Sequence, residues 1–317
     1  MTMIGHKGEQ AVTVRALRGA APYMHMYKGK IFVIKTGGGA FRDGATMRAF
    51  VEQIAILHHL GIRVVLVHGG GPQLDLVAAK LGVQTRMVQG RRVTDGGAID
   101  VACMVLNGLV NTRLLALCRE LGIRAVGISG VDGGLVKAHK RAPVTLASGE
   151  VVDYGMVGDI DGVDGTVITR LLDAGFLPVV SPLSCDESGH LLNINADTVA
   201  AAIGGALVAE KLILCTGAPG ILERVDDPHS LISYTDVAGL RRLREEGALT
   251  DGMLPKSSAI ETAIRGGVRR VHVISYSAPD ALLAEVFTNE GTGTLVVRDT
   301  KVLSAAEQGA TEAGAAP

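Results

Sequence analysis

Short runs of β-branched and aliphatic residues recur along this chain, each separated from the next by a longer stretch with helical spacing. That alternation limits the folds open to it. The apolar runs are Ile31 to Ile34, Val64 to Val67, Pro178 to Ser181, Lys211 to Leu214 and Val271 to Ile274. The stretches between them include Ala45 to Leu60, Ile99 to Leu121, Thr198 to Val208 and Leu254 to Arg265. Alternating β and α segments predict a mainly parallel sheet with helices on both faces, because a parallel strand needs a crossover to return. The strands are apolar throughout rather than every second residue, so both faces should be covered. The predicted class is α/β, a three-layer α/β/α sandwich with a mainly parallel central sheet.

Three segments depart from the rhythm. Val136 to Asp164 carries Ser, Gly and Asp turns around short pieces such as Val151 to Tyr154, the pattern of hairpin strands in a lid or excursion. Residues 299–317 are rich in Ala, Gly and Glu and predict a disordered tail. Residues 1–28 form an extension in which Val12 to Ala21 has helical composition, the kind of detachable element used for assembly. The main domain is thus expected over residues 29–298.

The 317-residue chain carries 31 Lys and Arg against 32 Asp and Glu, which disfavours a polyanion-binding protein. Aromatic residues are only 3% with no Trp, so base-stacking platforms for nucleic acid are nearly excluded. The longest unbroken apolar run, Val199 to Ala209, falls well short of a bilayer-spanning length, and no secretory signal precedes the first strand. Cys103, Cys118, Cys185 and Cys215 are widely spaced, with no C-x-x-C pair, and read as reduced core residues of a cytoplasmic protein with no metal site of its own.

In open parallel sheets the ligand lies beyond the carboxyl ends of the strands, and there the sequence is unusual. The first strand runs into Lys35-Thr36-Gly37-Gly38-Gly39, the second into His68-Gly69-Gly70-Gly71-Pro72, another into Gly127-Ile128-Ser129-Gly130, and a later one into Cys215-Thr216-Gly217-Ala218-Pro219-Gly220. Glycines let backbone N–H groups approach an anion closely, and a following helix adds its positive end. One such loop could be no more than a tight turn; several at one sheet edge point to a phosphate-rich ligand. Neither G-x-x-x-x-G-K-[ST] nor a G-x-G-x-x-G opening a helix is present, so Walker ATPases and standard dinucleotide enzymes are disfavoured.

Lys35 ends a buried strand, where an ammonium is costly unless it meets an anion or emerges into water. Lys256 shares a helical face with Met253, Ile260 and Ile264, leaving Glu261 and Arg265 for the wet side. Asp197 opens an otherwise apolar helix behind Asn193-Ile194-Asn195, with Asn195 a candidate N-cap. A carboxylate that holds two lysines would account for all three. Two ammoniums, an organising acid and several glycine loops suit phosphoryl transfer, where positioning and charge neutralisation dominate and no protein nucleophile is needed.

On these residues the chain resembles the amino acid kinase family from about Lys30 to Val297, and within it the enzymes that act on N-acetyl-L-glutamate. The resemblance rests on Lys35-Thr36-Gly37-Gly38, His68 to Pro72, Gly90-Arg91-Arg92-Val93-Thr94-Asp95, Asp153 to Asp159, Asn193 to Asp197, and Asp251-Gly252-Met253-Leu254-Pro255-Lys256. It implies a catalytic set of Lys35 and Lys256 with Asp197 as organiser. Gly70, Gly71, Arg92 and Asn193 would hold the acyl substrate, and Gly37, Gly38, Thr216, Gly217 and Lys256 would approach the nucleotide. The nucleotide would lie over the C-terminal half, with residues Lys211 to Ile221 near it. It further implies ATP with Mg2+, the γ-carboxylate of N-acetyl-L-glutamate as acceptor, arginine as a candidate effector, and a homodimer or dimer-based hexamer. Gly217 stands where the family usually has Asp, and Asp280 near a position where arginine-inhibited members carry His. Two other readings are N-acetyl-aminoadipate, one methylene longer, as acceptor, and a non-catalytic arginine-binding module; the latter generally lacks the lysines retained here.

Overall fold

The computed structural model describes residues 3–88, 91–146, 148–227, 229–249 and 252–302. Gly90 and Asp251 of the two motifs above, and most of the expected tail, lie outside the described residues. An eight-stranded sheet forms the centre. Its strands are β1 (Ile31–Thr36), β2 (Arg63–His68), β3 (Ala125–Ser129), β4 (Leu177–Ser181), β5 (Lys211–Thr216), β6 (Tyr234–Asp236), β7 (Arg270–Ser275) and β8 (Thr294–Val297). They lie in the order β6-β8-β7-β5-β1-β2-β4-β3 and pair in parallel except β7 with β8. The predicted three-layer α/β architecture is the observed one.

Strand side chains alternate between faces, so each strand feeds two cores. Phe32, Ile34, Val64, Leu66, Val179 and Ile213 enter one cluster, and Val33, Val65, Val67, Val180, Leu212 and Leu214 enter the other. After the N-terminal helix α1 (Met3–Tyr27), the first face is covered by α2 (Gly44–His59), α3 (Gly71–Lys80), a helix α4 (Gly96–Glu120) and the short Ala281–Phe287 helix. The second is covered by helices Thr166–Asp173, Ala196–Ala206, Val237–Glu245 and Met253–Arg265. Short acids and amides start several of these helices by accepting orphan N–H bonds: Asp43 from Thr46 N (2.8 Å), Asp95 from Ala98 N (2.8 Å) and Asp236 from Gly239 N (2.8 Å).

Helix α4 differs from the sequence reading in two respects. By length and composition it is apolar enough to cross a membrane, which a search for unbroken apolar runs missed because Asn107 and Asn111 interrupt it. It lies instead on the sheet, with Val101, Val105, Leu106, Val110 and Leu114 buried. Its middle, Cys103–Val110, is widened into π turns.

The excursion expected over 136–164 is real. Strands Val136–Lys140 and Gly158–Val163 join Leu183–Cys185 and Leu191–Asn193 in a separate four-stranded sheet, and Val144–Thr145 pairs with Val151–Val152 as a hairpin. Leu183 follows closely on the end of β4 and its carbonyl accepts from Gly130 N just past β3 (2.7 Å), so this sheet begins at the carboxyl ends of those strands. Residues Met3–Tyr27 are a single helix preceding β1.

Candidate active site

The two lysines and the aspartate meet. Lys35 Nζ lies 2.8 Å from Asp197 Oδ1, and Lys256 Nζ lies 3.1 Å from both carboxylate oxygens. All three side chains are about nine-tenths buried. Lys35 comes from β1. Asp197 comes from the first turn of the Ala196–Ala206 helix, whose start Asn195 caps by accepting from Asp197 N (2.8 Å) and Thr198 N (3.2 Å). Lys256 comes from the first turn of Met253–Arg265, which packs against the Asp197 helix. Burial alone would raise the Asp197 pKa, but the charges of Lys35 and Lys256 outweigh it and hold the carboxyl well below the usual range. Burial, followed by the nearby Lys35 charge, lowers the Lys256 pKa against the pull of Asp197. One carboxylate faces two ammoniums, so the cluster has excess positive charge where an anion would complete it.

Above this cluster opens a cavity of about 340 Å3 lined by Lys35, Gly37, Gly38, Gly70, Gly71, Arg92 and Asn193 among others. The glycines are needed where the loops after β1 and β2 touch. A Cβ on Gly38 would stand 2.8 Å from Gly70 Cα and 2.9 Å from Pro72 Cδ, and one on Gly70 would stand 2.7 Å from a Leu106 methyl. The Arg92 guanidinium is anchored by Asp75 (2.7 Å) through Nη2, while its buried Nη1 has no partner among the described residues. An unsatisfied buried guanidinium N–H is costly, and a bound carboxylate would satisfy it. Asn193 is held by its N–H to Met156 O (2.9 Å) and by Nδ2 to Thr94 Oγ1 (3.3 Å).

Thr216 and Gly217 do not line this cavity. They end β5 beside the tip of β1, on the side away from Arg92. Lys211, expected near the nucleotide with the rest of Lys211 to Ile221, starts β5 at the opposite edge of the sheet. There its ammonium lies 2.9 Å from His272 Nε2. Only the carboxyl end of that strand comes near the lysines, with Cys215 within range of the Lys35 and Lys256 charges.

The sequence reading missed several residues. Arg91 lines the cavity with Arg92, and burial and the neighbouring Arg141 charge lower its pKa. Arg141 also faces the cavity, where it forms a paired hydrogen-bonded ion pair with Asp159. Gln73 donates to Gly38 O (2.9 Å) and so ties the two glycine loops together. Its position directly after Gly71-Pro72, at the buried start of a helix, was the available signal. Glu261, read as solvent-facing, is buried and held by Arg241 (3.2 Å), Arg244 (2.9 Å) and Arg265 (3.1 Å).

The chain matches the Amino acid kinase family over residues 30–275, and it belongs to that family. It is 48% identical over 289 residues to a protein of Myxococcus xanthus named acetylglutamate kinase, covering 90% of this chain and 94% of that one. It is 41% identical to an acetylglutamate kinase of Archaeoglobus fulgidus, covering 89% and 98% of the two chains. Among solved structures it is similar to N-acetylglutamate synthase of Neisseria gonorrhoeae in complex with coenzyme A and N-acetyl-glutamate (TM-score 0.78, 29% identity), covering 90% of this chain and 63% of the synthase. The chain therefore spans less than two thirds of that synthase.

Proposed function

We propose that this kinase transfers the γ-phosphoryl group of ATP to the γ-carboxylate of N-acetyl-L-glutamate, giving the acyl phosphate and ADP. The observation that carries the reading is the pair of buried ammoniums on one carboxylate at the floor of a glycine-lined cavity. Arg92, with its free buried Nη1, and Asn193 take the α-carboxylate. Gly70 and Gly71 present backbone N–H groups at the start of α3, where the helix dipole also favours an anion. The γ-carboxylate oxygen attacks the terminal phosphorus as the bond to the ADP oxygen breaks. Negative charge grows on the bridging and equatorial oxygens during transfer, and Lys35 and Lys256, both held by Asp197, neutralise it. Asp197 fixes the two ammoniums in place. Gly37, Gly38, Thr216 and Gly217 leave backbone open to the phosphates. Mg2+ brought with the nucleotide would offset part of the charge on its phosphates. Retention of both lysines and Asp197 supports catalysis over a purely regulatory module, and the names of the relatives above support glutamate over aminoadipate.

Trapping the product as its hydroxamate tests the reading, with N-acetyl-L-glutamate and N-acetyl-aminoadipate compared at equal concentration. Turnover on the first supports it, preference for the second moves the enzyme to the longer acid, and turnover on neither refutes it. We place the enzyme in the cytoplasm, consistent with four free cysteines. The expected homodimer or dimer-based hexamer has apolar surface available on α4 (Met104) and on the N-terminal helix (Val14, Leu17, Met26).

For arginine as effector we propose a second site. A second cavity of about 600 Å3 lies between the N-terminal helix and the C-terminal strands, lined by Tyr23, Tyr27, Lys211, His272, Glu285 and Glu290 among others. Acids and bases in one cavity suit a charged amino acid. The N-acetylglutamate synthase has also been solved with L-arginine, at TM-score 0.77 and 29% identity. Inhibition by arginine that Glu290→Gln weakens would support this site; activity indifferent to millimolar arginine would remove it.

A further inference from the structure

The carboxyl ends of β1, β5 and β7 are consecutive along the sheet, Thr36 beside Cys215 and Thr216 beside Ser275. Tyr276 follows the last of these strands. Its backbone N–H donates to Thr216 O (2.9 Å), and Ser275 Oγ accepts from Ser277 N (3.1 Å), which fixes the turn. From there the side chain crosses the tip of β5 to the loop after β1. A Cβ on Gly39 would collide with the Tyr276 hydroxyl and stand 2.9 Å from its Cζ, and a Cβ on Gly217 would stand 3.2 Å from the same hydroxyl. The ring is half-buried against the core, yet its O–H forms no hydrogen bond among the described residues.

Two loops that the phosphates must approach thus each have a glycine where the phenol sits, and the phenol has a donor to spare. Tyrosine hydroxyls in partly buried positions ordinarily find a partner. In an open parallel sheet, the crevice beyond these strand ends is where a ligand lies. Resting on the function proposed above, we propose that Tyr276 is a nucleotide-binding residue whose hydroxyl donates a hydrogen bond to the β- or γ-phosphate. Gly39 and Gly217 leave the space that admits both the phenol and the phosphate chain.

The test is calorimetric titration of the full chain with ADP and with AMP, alongside steady-state kinetics. Tyr276→Phe keeps the ring and removes only the donor. It should weaken ADP about tenfold, the usual scale for a hydrogen bond to a charged group. AMP affinity and the KM for the acyl substrate should stay unchanged. Gly39→Ala should displace the phenol and weaken ADP similarly, and the double variant should be no weaker than the weaker single one, because both act on one contact. Unchanged ADP affinity in Tyr276→Phe overturns the proposal, as does tighter binding, which would make the phenol an obstruction. An equal loss for ADP and AMP overturns it too, since ring packing would then be the cause. These results leave the kinase reading intact, whereas a wild-type chain that binds no ADP would refute both.

Discussion

Replacing Asp197 with Asn keeps the shape of the side chain and removes the single charge that two buried ammoniums share. Both ammonium nitrogens lie within about 3 Å of the carboxylate, so they stand no more than about 6 Å apart. At the effective dielectric of about 20 that suits protein sites, two such charges repel by about 3 kcal/mol. At the same dielectric a carboxylate about 3 Å away attracts an ammonium by about 5 kcal/mol. In the native chain the carboxylate offsets this repulsion. In Asp197→Asn nothing does, and Lys256, whose pKa burial already lowers, loses its proton first. A lysine with a lowered pKa is charged below that pKa and neutral above it. Activity in the variant should therefore fall with rising pH earlier than in the parent, because the attraction that favoured the charged form of Lys256 is gone.

The assay is the hydroxamate-coupled rate from pH 6 to pH 9, at saturating ATP and acyl substrate. At pH 8 kcat should drop at least about a hundredfold, the scale for losing an electrostatic stabiliser of the transition state. Part of that loss should return at pH 6 as Lys256 regains its proton. Urea unfolding at pH 8 should show a loss of about 3 kcal/mol, because breaking a buried ion cluster by removing one partner leaves charges uncompensated. A variant with kcat within threefold of the parent and the same pH profile would refute the reasoning, since Asp197 would then neither position nor charge the lysines.

Three other outcomes follow from named contacts. Lys35→Ala should lower kcat about a hundredfold or more with little loss of stability, because Asp197 keeps Lys256 as partner; rate and melting temperature together check this. Arg92→Gln should raise the KM for the acyl substrate more than tenfold and leave the KM for ATP unchanged, since the buried Nη1 has no partner among the described residues and faces the acyl-substrate cavity; a rise in both would contradict it. Burial holds the His68 pKa down to about 4, so below its ordinary value near 6.5 the unfolded chain takes up a proton that the folded chain refuses. Stability should therefore be lost as pH falls from about 6.5 towards 4, on the order of 2 kcal/mol by pH 5 from this residue, and denaturant melts of His68→Gln should show a correspondingly flatter dependence.

Most of the sheet and the buried cluster of Lys35, Asp197 and Lys256 were legible because they rest on local chemistry. Strand runs such as Ile31 to Ile34 and Val271 to Ile274 can be buried on both faces only in a covered sheet, and Lys35, Asp197 and Lys256 each break an apolar pattern that would otherwise need no charge. Residues whose importance depends on long-range partners were not legible. Glu261 has the spacing of a wet helix face, yet Arg241 and Arg244 of a neighbouring helix cover it. Arg141 sits outside every glycine motif and reaches the cavity only because the four-stranded side sheet begins at the carboxyl ends of the central strands. Lys211 misled in the opposite direction, since nothing local says which end of a buried strand faces the ligand. Tyr276 is the sharpest case. As a lone aromatic after an apolar run it reads as a strand end, and only the parallel pairing of β1, β5 and β7 brings its hydroxyl between Gly39 and Gly217. The glycines were visible as loops for phosphate; that one of them also makes room for a side chain from two strands away is a property of register, which the sequence of either loop does not contain.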